Sequence, residues 1–252
     1  MLNVIICGIL GNMGGKVMDA CFETSDISVA AGIDMRDGTL ASIPLFASPS
    51  QCTIKSDVLI DFSTPSLAFE IADLCAEQKM PLVMCTTGHT GEQLERLAAL
   101  ATVVPVFKSA NMSLGIALLE DLVKRAAAVL GAGFDIEITE KHHRRKVDAP
   151  SGTALMLADA INAERGNRYD YTYERHSVRE PRLQNEIGIH SLRGGTIVGD
   201  HEVCFAGNDE ILTLAHSASS RAVFAEGALS AARFIVRQKP GSYDMKSLVS
   251  AF

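Results

Sequence analysis

Apolar residues recur along this chain with two periods, and the exchange between them outlines the architecture. Asn3 to Cys7 is a short apolar run, after which Val17, Met18, Cys21 and Phe22 keep helical spacing, and Val29 to Ile33 is apolar again. A polar, Pro-containing connection fills Asp37 to Lys55. The first order then returns: Asp57 to Phe62, a helix opened by Pro65 through Leu67, Ile71 and Leu74, Pro81 to Cys85, a helix over Gly91 to Leu100, and Val103 to Phe107. Short continuous apolar strands alternating with helices predict a Rossmann-like, doubly wound parallel sheet of the α/β class. Ser113 to Leu130 is a long amphipathic helix leading out of it, with Ile116, Leu119, Val123, Ala127 and Leu130 on one face. Beyond it Phe134, Ile136 and Ile138 alternate with Asp135, Glu137 and Thr139, the period of a half-buried strand. Tyr169 to Pro181 has no clear period. Ile187 to Leu192, Ile197 to Phe205 and Glu210 to His216 then alternate as antiparallel strands, giving a second, α+β domain built on an open mixed sheet. An exposed sheet face is a candidate oligomer interface. Helical spacing returns from Phe224 to Val236, and Pro240-Gly241 ends it.

Two stretches carry chemistry. The first is Gly8-Ile-Leu-Gly11-Asn-Met-Gly14, set between a strand and a helix as a dinucleotide fingerprint requires. Its glycines permit a tight turn and close approach of backbone to a pyrophosphate seated on the helix N-terminus. The spacing is Gly-x-x-Gly-x-x-Gly, with Leu10 where the commoner pattern has glycine. Asp34, twenty residues after Gly14 and at the end of the second strand, stands where an acid binds ribose hydroxyls. Thr86-Thr87 and Ser109-Ala110-Asn111 follow later strands, at the carboxyl ends where such sheets bind ligands.

The second stretch runs from Glu140 to Ala154, Glu-Lys-His-His-Arg-Arg-Lys-Val-Asp-Ala-Pro-Ser-Gly-Thr-Ala, and brings two histidines and four cations together at a strand end. His142 and Lys146 are four apart, a spacing that places them on one side of either an extended or a helical segment. Histidine titrates near neutrality and a lysine crowded by Arg144 and Arg145 gives up its proton more readily, so the pair suits proton donation to a reacting anion. Pro150 breaks the pattern. Ser151 then caps a helix carrying Leu155, Ala158 and Ile161, so Gly152 and Thr153 offer N–H groups at a positive helix terminus, which suits a carboxylate or phosphate.

Composition narrows the classes. The chain has 252 residues, 47% of them apolar, enough for a full core. A formal charge of −7 argues against a nucleic-acid binder and makes the basic run a local site. Cys7, Cys21, Cys52, Cys75, Cys85 and Cys204 are scattered without a Cys-x-x-Cys pair, as expected of reduced core residues in a cytoplasmic protein. Neither a secretion signal nor an apolar run long enough to span a membrane is read from the sequence. His190, His201 and His216 read as strand histidines satisfied by their neighbours, and no metal-ligand spacing occurs.

The fifteen contiguous residues from Glu140 to Ala154 resemble the signature Glu-x-His-His-x-x-Lys-x-Asp-x-Pro-Ser-Gly-Thr-Ala of the 4-hydroxy-tetrahydrodipicolinate (dihydrodipicolinate) reductase family without a gap. The glycine turn, Thr86-Thr87-Gly88 and Ser219-Ser220-Arg221 occur in the family's order, so the resemblance covers essentially the whole chain. It implies that His142 is the acid/base and Lys146 a proton donor, with His143, Gly152 and Thr153 holding substrate carboxylates. It implies that the cofactor, NADH or NADPH, lies against Gly8, Ile9, Leu10, Gly11, Asn12, Met13, Asp34 and Arg36. Cys85, Thr86, Thr87, Ser109, Ala110, Asn111 and Met112 would line the nicotinamide side. The implied domains are a dinucleotide-binding domain, 1–112 and 222–252, and a substrate-binding and oligomerisation domain, 113–221, in a homotetramer. The implied reaction reduces a small dicarboxylate on the diaminopimelate route to lysine. Met35 replaces a common cation, Cys85 a usual glycine and Asn12 a common arginine; the first two bear on cofactor choice, for which Asp34 and Arg36 together point to both cofactors with NADH modestly favoured. A homoserine- or aspartate-dehydrogenase-like enzyme and a nucleotide-sensing binding protein remain as other readings of the same fold.

Overall fold

The computed structural model describes all residues, Met1–Phe252. In chain order the elements are β1 (Leu2–Cys7), α1 (Asn12–Phe22), β2 (Ile27–Ile33), β3 (Gly38–Leu40), β4 (Ile43–Phe46), β5 (Val58–Asp61), α2 (Ala68–Gln78), β6 (Leu82–Met84), α3 (Gly91–Ala101), β7 (Pro105–Lys108) and α4 (Leu114–Leu130). They continue with β8 (Asp135–His142), α5 (Gly152–Glu164), β9 (Asp170–Thr172), β10 (Glu186–Arg193), β11 (Gly199–Ala206), β12 (Ile211–Ala218), α6 (Ala222–Ile235), β13 (Gly241–Tyr243) and α7 (Met245–Val249). These form two compact units, Met1–Leu114 with Arg221–Phe252, and Gly115–Ser220.

The first unit is built on an eight-stranded sheet of order β13-β7-β6-β5-β1-β2-β4-β3, parallel except where β3 turns back on β4. Ile5 and Cys7 of β1 share a buried cluster with Ile71 of α2 and Leu97 of α3. The alternate residues Val4 and Ile6 are equally buried, so they point to the other face, where α1 packs on α6. Burial on both faces is why these strands read as continuous apolar runs. In parallel register Ile33, Cys7, Asp61, Met84 and Lys108 lie side by side, so the carboxyl ends of β2, β1, β5, β6 and β7 form one edge.

The hairpin β3–β4 lies in the stretch expected to be a connection. Its turn residues Ala41 and Ser42 both have positive φ, 48° and 71°, the geometry of a tight hairpin turn without the Asn-Gly or Asp-Gly pair that announces one. β13 follows the Pro240-Gly241 stop and adds three residues parallel to β7.

The second unit carries a five-stranded sheet of order β12-β11-β8-β10-β9. Inward residues Ile136, Ile138, Ile187, Ile189, Val203 and Phe205 form one buried cluster with Ile116, Leu119 and Val123 of α4 and Leu157 and Ile161 of α5. Both helices therefore cover one face, and the other is open. β11 runs antiparallel to β8 and β12, as expected, but β10 is parallel to β8. The reason is topological: the chain leaves β8, crosses through α5 and returns, a βαβ connection that forces the parallel sense. Alternation reports a buried face and is silent on strand direction.

Candidate active site

In the first unit the edge of strand ends carries the glycine turn. Gly8 has φ +78°, and a Cβ there would stand 2.6 Å from the Phe62 carbonyl oxygen, so both conformation and space require glycine. The turn closes through Gly11 N–H donating to Gly8 O at 3.0 Å. Ile9 is buried and packs over Gly32, whereas Gly11 and Asn12 are exposed at the start of α1 and Met13 is half-buried. Gly11 is the N-cap and supplies no side-chain cap, and the first turn holds no acid. An α-helix leaves its first N–H groups without intrahelical partners, so this uncapped end has room for an anion.

Asp34 follows β2, and its carboxylate accepts from Leu10 N–H at 2.9 Å and Met35 N–H at 2.8 Å, tying the acid to the glycine turn. Each oxygen keeps a second lone pair. Met35 is 93% exposed and Arg36 is exposed beside it. Cys85 and Thr86 are buried just past β6 and Thr87 is exposed. After β7, Ser109 Oγ donates to Asn111 O at 2.7 Å and Asn111 Oδ1 accepts from Ser113 N–H at 2.9 Å, fixing a turn that exposes Ala110; Met112 is buried. Sequence reasoning passed over Asp61, fully buried in the same row of strand ends. Burial pushes its carboxyl up, against hydrogen bonds from Ser63.

In the second unit β8 delivers His142 as its last residue, 9% exposed, on the inward face shared with Ile136, Ile138 and Glu140. Glu140 is fully buried and collects four bonds. Oε2 takes His142 Nδ1 at 2.6 Å and Arg193 Nη1 at 2.8 Å; Oε1 takes Arg193 Nη2 at 2.7 Å and Ser151 N–H at 3.1 Å. Burial pushes this carboxyl up, but the bonds from Arg193 and His142 outweigh it and hold Glu140 down at about 2. It is therefore an acceptor only, and the hydrogen between it and His142 belongs to Nδ1. The Nε2 atom is the one left for exchange. Gly199 lies beside it, where a Cβ would stand 3.1 Å away.

Beyond His142 the chain is neither extended nor helical: Lys146 N–H donates to His143 O at 3.1 Å in a turn. The spacing argument for a shared side therefore does not apply. Lys146 Nζ pairs with Asp148 at 2.8 Å, and that bond is the first cause of the lowered Asp148 carboxyl. Arg144 and Arg145 are exposed, and His143 holds Nδ1 buried without a hydrogen-bond partner. Ser151 caps α5 as expected, its Oγ accepting from Ala154 N–H at 3.2 Å. Gly152 is exposed and Thr153 half-buried at that helix's positive end.

Glu140 and Arg193 were not singled out from the sequence, and His201 was read only as a satisfied strand histidine, whereas its Nδ1 is buried without a hydrogen-bond partner. Strand parity carried the signal for two of them: Glu140 shares the inward face of Ile136 and Ile138, and His201 that of Val203 and Phe205. His201 meets His142 edge to face with ring centroids 5.2 Å apart, and its Nε2 lies 3.0 Å from Ser151 Oγ. It is pushed down to about 4, first by burial, then by His142 and His216, against Glu140 and Asp200. The unfolded imidazole titrates near 6.5, so the unfolded chain binds more protons between about pH 6.5 and 4. This contribution to stability is complete above pH 6.5 and is lost as pH falls toward 4, by at most about 3 kcal/mol. The fall in thermal midpoint from pH 7 to 5 should be smaller in His201→Asn than in the wild type; an unchanged fall would place the loss on other groups.

One unit thus offers a nucleotide-type turn at the edge of a parallel sheet, and the other a buried histidine on a carboxylate beside a helix terminus. These are the halves of a two-domain nicotinamide-dependent oxidoreductase. Comparison with known proteins narrows the class. The family model described as dihydrodipicolinate reductase, N-terminus, matches residues 2–112, and that described as dihydrodipicolinate reductase, C-terminus, matches 115–249. The 4-hydroxy-tetrahydrodipicolinate reductase of Caldanaerobacter subterraneus subsp. tengcongensis is 48% identical over 249 residues, covering 99% of this chain and 98% of the relative. The dipicolinate-bound dihydrodipicolinate reductase of Paenisporosarcina sp. TG-14 superposes with a TM-score of 0.84 at 28% identity, covering 98% of each chain. The C. glutamicum DAP dehydrogenase in complex with DAP shares the fold alone, with a TM-score of 0.56 at 14% identity over 97% of this chain and 93% of that one. The chain belongs to the dihydrodipicolinate reductase family, whose members are oxidoreductases.

Proposed function

We propose that the chain catalyses the NAD(P)H-dependent reduction of (2S,4S)-4-hydroxy-2,3,4,5-tetrahydrodipicolinate to (S)-2,3,4,5-tetrahydrodipicolinate and water, in lysine biosynthesis by the diaminopimelate pathway. The observation that carries this reading is His142, held through Nδ1 by Glu140 within one hydrogen-bonded cluster that includes the α5 cap. Bound nicotinamide supplies the hydride. The chain's own groups do the rest: His142 and Lys146 hold the protons that quench charge left on the reduced ring, and the Gly152 and Thr153 amides with His143 take the carboxylates. The buried, unpartnered Nδ1 of His143 supports the last role. Loss of nicotinamide absorbance should follow mixing of the protein, reduced cofactor and substrate freshly made from pyruvate and aspartate semialdehyde. No loss with this substrate would refute the reading.

Gly8, Ile9, Leu10, Gly11, Asn12, Met13, Asp34 and Arg36, with Cys85, Thr86, Thr87, Ser109, Ala110, Asn111 and Met112, form the cofactor side of this proposal. The left-handed Gly8, the uncapped α1 terminus and the remaining lone pairs of Asp34 fit a dinucleotide. The Asp34 carboxylate favours ribose hydroxyls and repels a 2′-phosphate, while the exposed Arg36 offsets part of that repulsion. Both cofactors should therefore work, with NADH favoured by about tenfold or less, roughly 1.4 kcal/mol. At fixed salt, Arg36→Ala should weaken NADPH selectively and Met35→Arg strengthen it. A strong NADPH preference indifferent to Arg36 would remove this loop from the 2′ position.

The same proposal includes a homotetramer formed through the open face of the second unit's sheet. Leu192 and Ile211 are 48% and 68% exposed on that face, and Cys204 is half-buried there. Light scattering should give four copies at micromolar protein, and Thr213→Arg, in the middle of the outward row of β12, a smaller species. A wild-type monomer would refute it. No helix is long and apolar enough to cross a membrane. Six free cysteines, five of them buried, support the reducing cytoplasm as its compartment.

A further inference from the structure

As a sequence, Arg193-Gly194-Gly195 reads as a turn. In the fold its guanidinium makes four hydrogen bonds to three partners. Nη1 donates to Glu140 Oε2 at 2.8 Å and Leu192 O at 2.7 Å; Nη2 donates to Glu140 Oε1 at 2.7 Å and Asp148 O at 2.6 Å. The turn itself continues the clamp, with Gly194 N–H on His142 O at 2.9 Å and Arg144 N–H on Gly195 O at 3.3 Å. Through Glu140 the guanidinium reaches His142 Nδ1 and the Ser151 N–H that precedes Gly152; through Asp148 it reaches the residue paired with Lys146. His142 and Lys146 share no regular element; besides the turn bond from Lys146 N–H to His143 O, this group is what ties the two together.

We infer that Arg193 is a positioning residue for the reaction: its bidentate pair with Glu140 and its bond to the Asp148 carbonyl set His142, the Lys146 loop and the α5 terminus in one arrangement. The inference rests on His142 and Lys146 being the proton donors. A buried ion pair is a poor route to stability, since apolar side chains of similar volume often serve as well. What this pair contributes is orientation. Two parallel N–H···O bonds fix the carboxylate plane, and the carboxylate fixes the imidazole. Lysine has the charge but lacks the fork, and cannot hold both Glu140 oxygens and a carbonyl together.

The test uses the full chain. Arg193→Ala should lower kcat by about 100-fold while NADH affinity, followed by cofactor fluorescence, stays within about twofold, because the nucleotide turn belongs to the other unit. Added guanidinium ion at millimolar concentration should restore kcat at least about fivefold, which a collapsed fold would not allow. Arg193→Lys should remain about tenfold or more below the wild type. Combined with His142→Gln, the Arg193→Ala loss should fall well short of multiplying, as expected of residues acting as a unit. Should Arg193→Ala not fold, Arg193→Lys and Glu140→Gln carry the test, each with kcat down and cofactor affinity kept. Wild-type kcat in a folded Arg193 variant, absence of guanidinium rescue, or fully multiplicative losses would overturn the inference. Turnover retained by His142→Gln alone would instead refute the donor assignment, a result read without touching Arg193.

Discussion

His142→Gln and Lys146→Ala are each expected to lower turnover by about 100-fold or more while cofactor binding stays intact. General acid catalysis by a positioned side chain contributes on the order of 10²–10⁴ in rate, so the loss of either donor should fall in that range. At 100-fold the transition state loses about 2.7 kcal/mol. Glutamine at 142 can still bond to Glu140, which at 0% exposure would otherwise be left without one of its partners. The substitution therefore removes the imidazole and spares the network. Lys146 is held by an outer pair with Asp148, whose side chain is 58% exposed, so its removal should cost little stability. Steady-state rates with both substrates, beside a cofactor titration, check the expectation. Near-normal turnover in either variant removes that residue from the mechanism.

What was legible in the sequence divides along a physical line. Features set by local periodicity and capping were read correctly: the inward alternation of Ile136 and Ile138, the Ser151 cap, and the strand–glycine–helix order at Gly8. Each depends on residues within a few positions of one another. Arg193 stands 53 residues from Glu140 and joins it only because β10 runs parallel beside β8, with Arg193 opposite His142. Nothing local encodes that register. The parity of β8 did place a carboxylate on its buried face, two residues before a histidine, and a buried acid must be paired. That signal was present for Glu140, but its partner was not deducible. The relation between His142 and Lys146 failed for a related reason: spacing arguments need a regular element, and the chain turns at His143. The motif residues lie together in sequence, while the bonds that join Arg193 to Glu140 and His142 come from topology.

The neighbouring glycines of α1 should respond to alanine with opposite signs. At Gly14 a Cβ would lie 2.0 Å from the Gly8 carbonyl oxygen and 2.7 Å from Ile9 Cα, both backbone atoms of the nucleotide turn, so no side-chain rotation can relieve the clash. Either α1 moves away from β1 by more than an ångström, as roughly 3.2 Å is needed, or the turn deforms. Overpacking of this kind costs about 1–3 kcal/mol, and the displaced helix end no longer presents its N–H groups to a pyrophosphate. Gly14→Ala should therefore lower the thermal midpoint by several degrees and weaken NADH by about tenfold or more. At Gly15 a Cβ meets only the Ile9 carbonyl oxygen at 3.9 Å, an ordinary contact on a helical backbone. There alanine removes glycine's entropic cost in a helix, about 0.5–1 kcal/mol, so Gly15→Ala should be neutral to stabilising with cofactor affinity preserved. Thermal unfolding and a fluorescence titration of NADH on the two variants decide it. Equal behaviour of the pair would show that the close contact between α1 and the turn does not limit either stability or binding.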